Sequence, residues 1–196
     1  PGIPRRGVAE LSKAIAARVN SITYGVQVDS IENGVAKSSA GDFNASHIVI
    51  ATDATTATQL LGLPEVARMA GCITWYHSVV NNPSGTGRLV VDGQSRGPIL
   101  NSIVISDISS DYAPVGHHLI STTTELGSTE SDVRRHLALM WGVSTHDWEF
   151  LAKYEIPAAL PIQSVGRALT QTIKVSEKVY VVGDHRAVPS QQGALF

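Results

Sequence analysis

With 196 residues, 43% of them hydrophobic and only 16% charged, the chain can bury a sizeable core and is not a disordered polypeptide. Its 15 Lys and Arg against 17 Asp and Glu leave a formal charge of −2, which carries no electrostatic footprint for nucleic acid or an anionic membrane surface. One cysteine, Cys72, excludes an intrachain disulfide framework and any multi-cysteine metal site and fits a reducing, cytoplasmic compartment, and the longest apolar runs (48–51 and 179–182) are too short to span a bilayer.

Taken in chain order, Val8, Leu11, Ile15 and Val19 fall at helical spacing and predict an amphipathic helix over 7–18, with Asn20 able to end it. Short alternating runs at 22–28, Ile31, Val35 and Phe43, broken by Asn33-Gly34 and Gly41-Asp42, predict a strand meander. Residues 47–52 are β-branched enough for a strand buried on both faces. Asp53 then caps a helix to Leu61, Gly62 stops it, and 64–70 adds another turn or two. Further strands are expected at 73–80, 88–91, 99–105 and 118–124. Thr129 caps a helix to about Gly142, with Val133, Leu137 and Met140 on one face. Residues 148–156 and 179–182 complete the strands. This order, without repeats or low-complexity tracts, suits an α+β architecture with a mixed sheet better than regular βαβ alternation.

The sharpest local signal is Val179-Tyr180-Val181-Val182-Gly183-Asp184, followed by Pro189-Ser190 and Gln192-Gly193-Ala194-Leu195-Phe196. An apolar strand ending in Gly-Asp puts a carboxylate at the carboxyl edge of a sheet, where ligands of open α/β sheets lie. Gly183 admits close approach of backbone to a ligand, Asp184 can accept from a sugar hydroxyl, and Gly193-Ala194 would start a helix with N–H groups facing a phosphate or ring carbonyl. Alone, Gly-Asp reads more readily as an ordinary strand-to-turn transition.

The stretch resembles the C-terminal FAD-contacting motif of the flavin-containing amine oxidases, protoporphyrinogen oxidases and carotenoid desaturases. Four other segments resemble the same superfamily in the same order. They are Gly7-Val8-Ala9-Glu10-Leu11, Val28-Asp29-Ser30-Ile31, the exit strand Ala45 to Thr52, and Ile156-Pro157-Ala158-Ala159-Leu160-Pro161. The resemblance implies an FAD-dependent oxidoreductase that oxidises a small or apolar organic substrate by hydride transfer to flavin, with Val28, Gly183, Asp184, Gly193 and Ala194 touching FAD. It also implies partial FAD-domain elements at 1–53, a substrate-binding domain at 54–168 and a returning FAD-domain strand at 169–196.

The N-terminal Gly-x-Gly-x-x-Gly turn of that family, whose helix end cradles the pyrophosphate, has no match, because Gly85-Thr86-Gly87 lacks the third glycine. The chain, opening at Pro1, is therefore expected to be the C-terminal piece of a longer enzyme, inactive alone and binding FAD poorly or not at all. Its low charge content leads to an expectation of self-association. No residue is marked as a catalytic base. Trp75, Tyr76, Tyr112, Trp141, Trp148 and Tyr154 are pocket candidates, with core packing as their alternative role.

His117-His118 lacks an evident third ligand, so no metal is expected. No Gly-x-Ser-x-Gly elbow marks a hydrolase. Arg134-Arg135 reads as a solvated helix face and Cys72 as a small buried residue. Two other readings stay open: a non-catalytic domain that binds an apolar ligand or a partner protein, and a degenerate homologue that kept the fold and lost the cofactor.

Overall fold

The structure, a computed structural model, describes residues 3–63 and 68–195. The chain divides into two units, each made of two separate stretches: one of 1–22 with 71–157, the other of 23–70 with 158–196. The sequence placed its boundaries at 54 and 168 instead. Residues 54–70 and 158–168 group with the second unit, and the N-terminal helix groups with the first.

In the first unit, α1 (Ala9–Ala16) forms where expected, but none of its residues is buried; Val8, Leu11, Ile15 and Val19 remain about half exposed. The core sits instead on a four-stranded sheet in the order β6-β7-β5-β8. Its strands are β5 (Met69–Val79), β6 (Ile99–Val104), β7 (His118–Thr124) and β8 (Glu149–Pro161). Two-residue periodicity turns Ile73, Trp75, His77 and Val79 of β5 to one face, where they are buried. Antiparallel β7 adds Ile120, Thr122 and Thr124. The helix α3 (Glu130–Trp141), capped by the Thr129 hydroxyl, contributes Val133 and Leu137 to the same core cluster. Threonines in this core are paired: Thr122 Oγ1 lies 3.0 Å from Ser102 Oγ, and Thr124 Oγ1 accepts from Trp75 Nε1 at 2.9 Å. Buried hydroxyls without partners would cost roughly 1–3 kcal/mol each.

Two expected elements differ. Residues 88–91 form no strand; Val90 alone bridges Ser102, while Leu89 and Val91 stay exposed and the Asp92 carboxylate folds the following loop onto its own N–H groups at Gln94 and Arg96. The strand expected at 148–156 runs on to Pro161. It is an edge strand, where Pro157 need not donate to a ladder.

The second unit holds a three-stranded antiparallel meander, β1 (Val28–Glu32), β2 (Val35–Ser38) and β3 (Gly41–Asn44). The same unit contains β4 (Ile48–Ile50), α2 (Ala54–Leu60), β9 (Val179–Val181) and the short α4 (Gln191–Leu195). Ile50, Ala57, Leu60, Val179 and Val181 form its core, with Val28, Ile31, Ile48 and Leu61 packed against it. β4 is buried on one face only, since Val49 is exposed; the sequence suggested burial on both. The turn expected at 64–70 falls largely outside the described residues, and Met69-Ala70 already belongs to β5. Among the described residues no helix is long and apolar enough to cross a membrane.

Candidate functional site

β4 and β9 pair in parallel, with Ile48 opposite Val179, Val49 opposite Tyr180 and Ile50 opposite Val181. Parallel pairing brings both carboxyl ends to one edge, so Thr52-Asp53 and Gly183-Asp184 emerge together. The Val182 N–H still donates to the Ile50 carbonyl at 2.9 Å, which extends the ladder to the last residue before the turn. Gly183 then takes φ +138°, a conformation L side chains rarely adopt. A Cβ there would also stand 3.0 Å from the His185 ring and 3.7 Å from the Thr52 carbonyl oxygen. The backbone conformation and the His185 ring against it together favour glycine here, while the Thr52 oxygen is at ordinary contact distance.

Asp184 opens a single 3-10 turn, Asp184–Arg186. Its carboxylate is partly exposed and lies 3.9 Å from His185 Nδ1, beyond hydrogen-bond reach. No described residue donates to it, so its lone pairs are open to an incoming hydroxyl donor. Asp53, on the same edge, is engaged: it accepts from the N–H groups of Thr55 and Thr56 and from the Thr56 hydroxyl at 2.6 Å. Those bonds, the Thr56 hydroxyl first, hold its carboxyl below the usual carboxylate range.

Val28 starts β1 opposite Ser38 and packs on the core cluster that contains Val179 and Val181. The segments around positions 28, 50 and 181 are thus one packed body. Gly193 and Ala194 lie inside α4, and their N–H groups are already engaged, donating to the Ser190 hydroxyl and carbonyl at 3.0 Å. Gly193 is required by the chain itself, since a Cβ would run into the Val188 carbonyl.

The aromatic candidates scatter. Trp75, Trp141 and Trp148 belong to the core of the first unit or pack on it. Tyr112 donates to the Pro4 carbonyl at 2.7 Å, and Tyr76 meets Tyr154 edge-on at 6.0 Å between ring centroids. His117 Nδ1 lies 3.1 Å from the Ser78 hydroxyl. Cys72 is free and half-buried. Arg135 is exposed as expected, but Arg134 is a brace: its three nitrogens donate to Glu130 and to the carbonyls of Thr145 and Trp148, each at 2.7 Å.

Two open clefts among the described residues gather charged side chains. In the first unit, one of about 390 Å³ lies between the loop at 96–98 and α3, lined by Arg96, Gly97, Glu125, Asp132, Arg135 and His136. There the His136 ring is clamped, with Nδ1 accepting from the Ile99 N–H at 3.1 Å and Nε2 2.8 Å from the Asp92 carboxylate. A ring nitrogen that accepts from backbone carries no proton, so this tautomer has its hydrogen on Nε2. Asp92, bonded also to Arg96, has its carboxyl held well below the ordinary range.

The second unit has a cleft of about 670 Å³ beside α2, lined by Arg68, Arg167, Lys174, His185 and Arg186 together with apolar residues of α2. Sequence reasoning stopped at Asp184 and passed over His185 and Arg186 directly after it, although their position in the same turn was readable.

The comparisons with known proteins agree with this geometry at the level of fold. No sequence-family profile and no curated protein matches the chain. Solved structures do. An oxidoreductase from Methanosarcina mazei matches with a TM-score of 0.66 at 15% identity, over 96% of this chain and 51% of its own. A protein described as a protoporphyrinogen oxidase, from Exiguobacterium sp. 255-15, matches with a TM-score of 0.71 at 16% identity, over 92% and 47%. A reduced UDP-galactopyranose mutase matches with a TM-score of 0.67 at 14% identity, over 84% and 41%. The chain thus spans about half the length of the solved chains it resembles, and at these identities the likeness is one of fold. The mixed α and β architecture expected from the sequence is that of part of these solved chains.

Proposed function

We propose that the chain is part of an FAD-dependent oxidoreductase and that the shared edge of β4 and β9 carries one side of its flavin site. The observation that supports this reading most directly is the parallel pairing that delivers Gly183-Asp184 beside Thr52 at a common strand edge, with the Asp184 carboxylate unengaged. A two-stranded parallel sheet is marginal by itself, which supports reading β4 and β9 as part of a larger sheet.

Asp184 accepts from hydroxyls of the sugar-alcohol chain, Gly183 lets that chain lie against backbone, and Val28 offers its backbone at the start of β1. Gly193 and Ala194 present a small surface, their N–H groups being engaged by Ser190. When bound, FAD supplies the hydride acceptor, and the protein's part is to hold and orient it and to exclude water. The substrate is a small or apolar organic molecule, and residues of the first unit belong to its binding domain. The low share of charged side chains supports self-association.

The test is a titration of the chain with FAD up to about 1 mM, a range that reads weak affinity, followed by quenching of flavin fluorescence. Weak saturable quenching that Asp184→Ala removes is the expected result. Quenching of equal strength in both proteins would count against placing flavin on this edge.

A further inference from the structure

The cleft beside α2 has a charge composition unlike the rest of the chain. Carboxylates outnumber Lys and Arg by 17 to 15 overall, yet among the described residues the cleft is lined by Arg68, Arg167, Lys174 and Arg186 and by no carboxylate at all. Neither Val28, Gly183 nor Asp184 lines it, although His185 and Arg186 follow Asp184 directly in the same turn.

Like charges gathered in one space repel one another, and the nearby carboxylates of Asp184 and Asp53 act on His185 rather than on Arg186. Arg186 records this: burial first, and then the Arg167 guanidinium, lower its proton affinity, and no carboxylate opposes them. Its donors are also incompletely used. One terminal nitrogen donates to the Thr172 carbonyl, whereas Nε is buried without a partner among the described residues. Both ring nitrogens of His185 are likewise buried and unpartnered, and the residue is 7% exposed. Arg167 is steered into place by its bond to the His185 carbonyl at 2.9 Å, which leaves its other nitrogens available. Buried donors lacking acceptors cost free energy, and an oxyanion supplies the missing acceptors and the missing charge together. Guanidinium groups match carboxylate and phosphate geometry, often in bidentate fashion.

We propose that this cleft is an oxyanion site that takes the phosphate or carboxylate group of a small molecule, with Arg167 and Arg186 as its principal contacts. It stands independently of the flavin reading. Its readout is anion binding in the absence of flavin, so the two proposals fail separately.

The experiment is calorimetric titration of the full chain at low ionic strength with inorganic pyrophosphate, and separately with propionate, to distinguish a phosphate-bearing from a carboxylate ligand. Saturable binding of either probe, weakened about ten-fold or more by Arg167→Gln and by Arg186→Gln, is the expected result. Because Arg186 also ties down Thr172, its variant can lose fold. The wild-type chain is therefore also labelled with phenylglyoxal, and the bound probe should protect Arg167 and Arg186 in the mass-spectrometric map. Absence of saturable binding by both probes would overturn the site. So would binding that Arg167→Gln leaves unchanged, or equal labelling of the two arginines with and without probe.

Discussion

Acid acts on the core of the first unit through His77. This side chain is fully buried on the inward face of β5, between the rings of Trp148 and Phe150 at 6.1 and 5.9 Å, and neither ring nitrogen has a partner among the described residues. Burial, with a smaller contribution from Arg134 that Glu130 partly opposes, pushes its imidazole down to about 4. In the unfolded chain it titrates near 6.5. The folded state thus binds the proton less well than the unfolded one. Stability is full above the unfolded value and falls as pH drops from 6.5 towards 4, by at most about 1.4 kcal/mol per pH unit from this group. His77→Leu should flatten that slope and be neutral or stabilising at pH 7, because it removes an unpaired buried polar ring. Urea denaturation at pH 7 and pH 5 reads both effects, and an unchanged slope in the variant would sink the assignment. That His77 shares a face with Trp75 and Val79 was readable from strand parity, but its lack of any partner depends on which residues of β8 cover it. No local pattern carries that.

At the scale of elements, capping and periodicity were legible where the deciding interactions are local. Thr129 caps α3 by accepting from the Asp132 N–H at 3.3 Å and donating to the Asp132 carboxylate at 2.6 Å, and Asp53 caps α2. Thr129→Ala should cost about 1 kcal/mol in denaturant unfolding with no change in the slope against denaturant. The cost reaches the core because α3 brings Val133 and Leu137 into it. What was not legible depends on neighbours. The apolar residues at 88–91 look like a strand, yet only Val90 finds a partner, since Asp92 captures the chain into a turn. The strand through Pro157 survives because it lies at an edge, which is a property of the sheet. Arg134 looked solvated because the carbonyls it braces, those of Thr145 and Trp148, lie beyond the end of its own helix.

For the molecule as a whole, both units are discontinuous in sequence, and β4 has its one described strand partner in β9. Val181 is 3% exposed in the core that joins β9 to β4 and α2. Val181→Asp would bury an unpaired charge there and should remove hydrogen-exchange protection from 48–62 while leaving that of β5 and β7 intact. Simultaneous loss in both units would show that they open together. The candidate site at the β4–β9 edge was legible through Gly183-Asp184. The cationic cleft was not, because its members come from residues 68, 167, 174 and 186, and only folding shows that they line one space.

The pairing of position 48 with position 179 also sets an order of events during translation. As the polypeptide leaves the ribosome, Ile48 and Ile50 emerge long before Val179 and Val181, and every residue of the first unit has been made by the time β9 appears. Through that interval the nascent chain displays an unmatched apolar β-segment, the kind of surface that chaperones hold and that clumps when synthesis stalls. Slow codons between residues 50 and 181 would lengthen this vulnerable period.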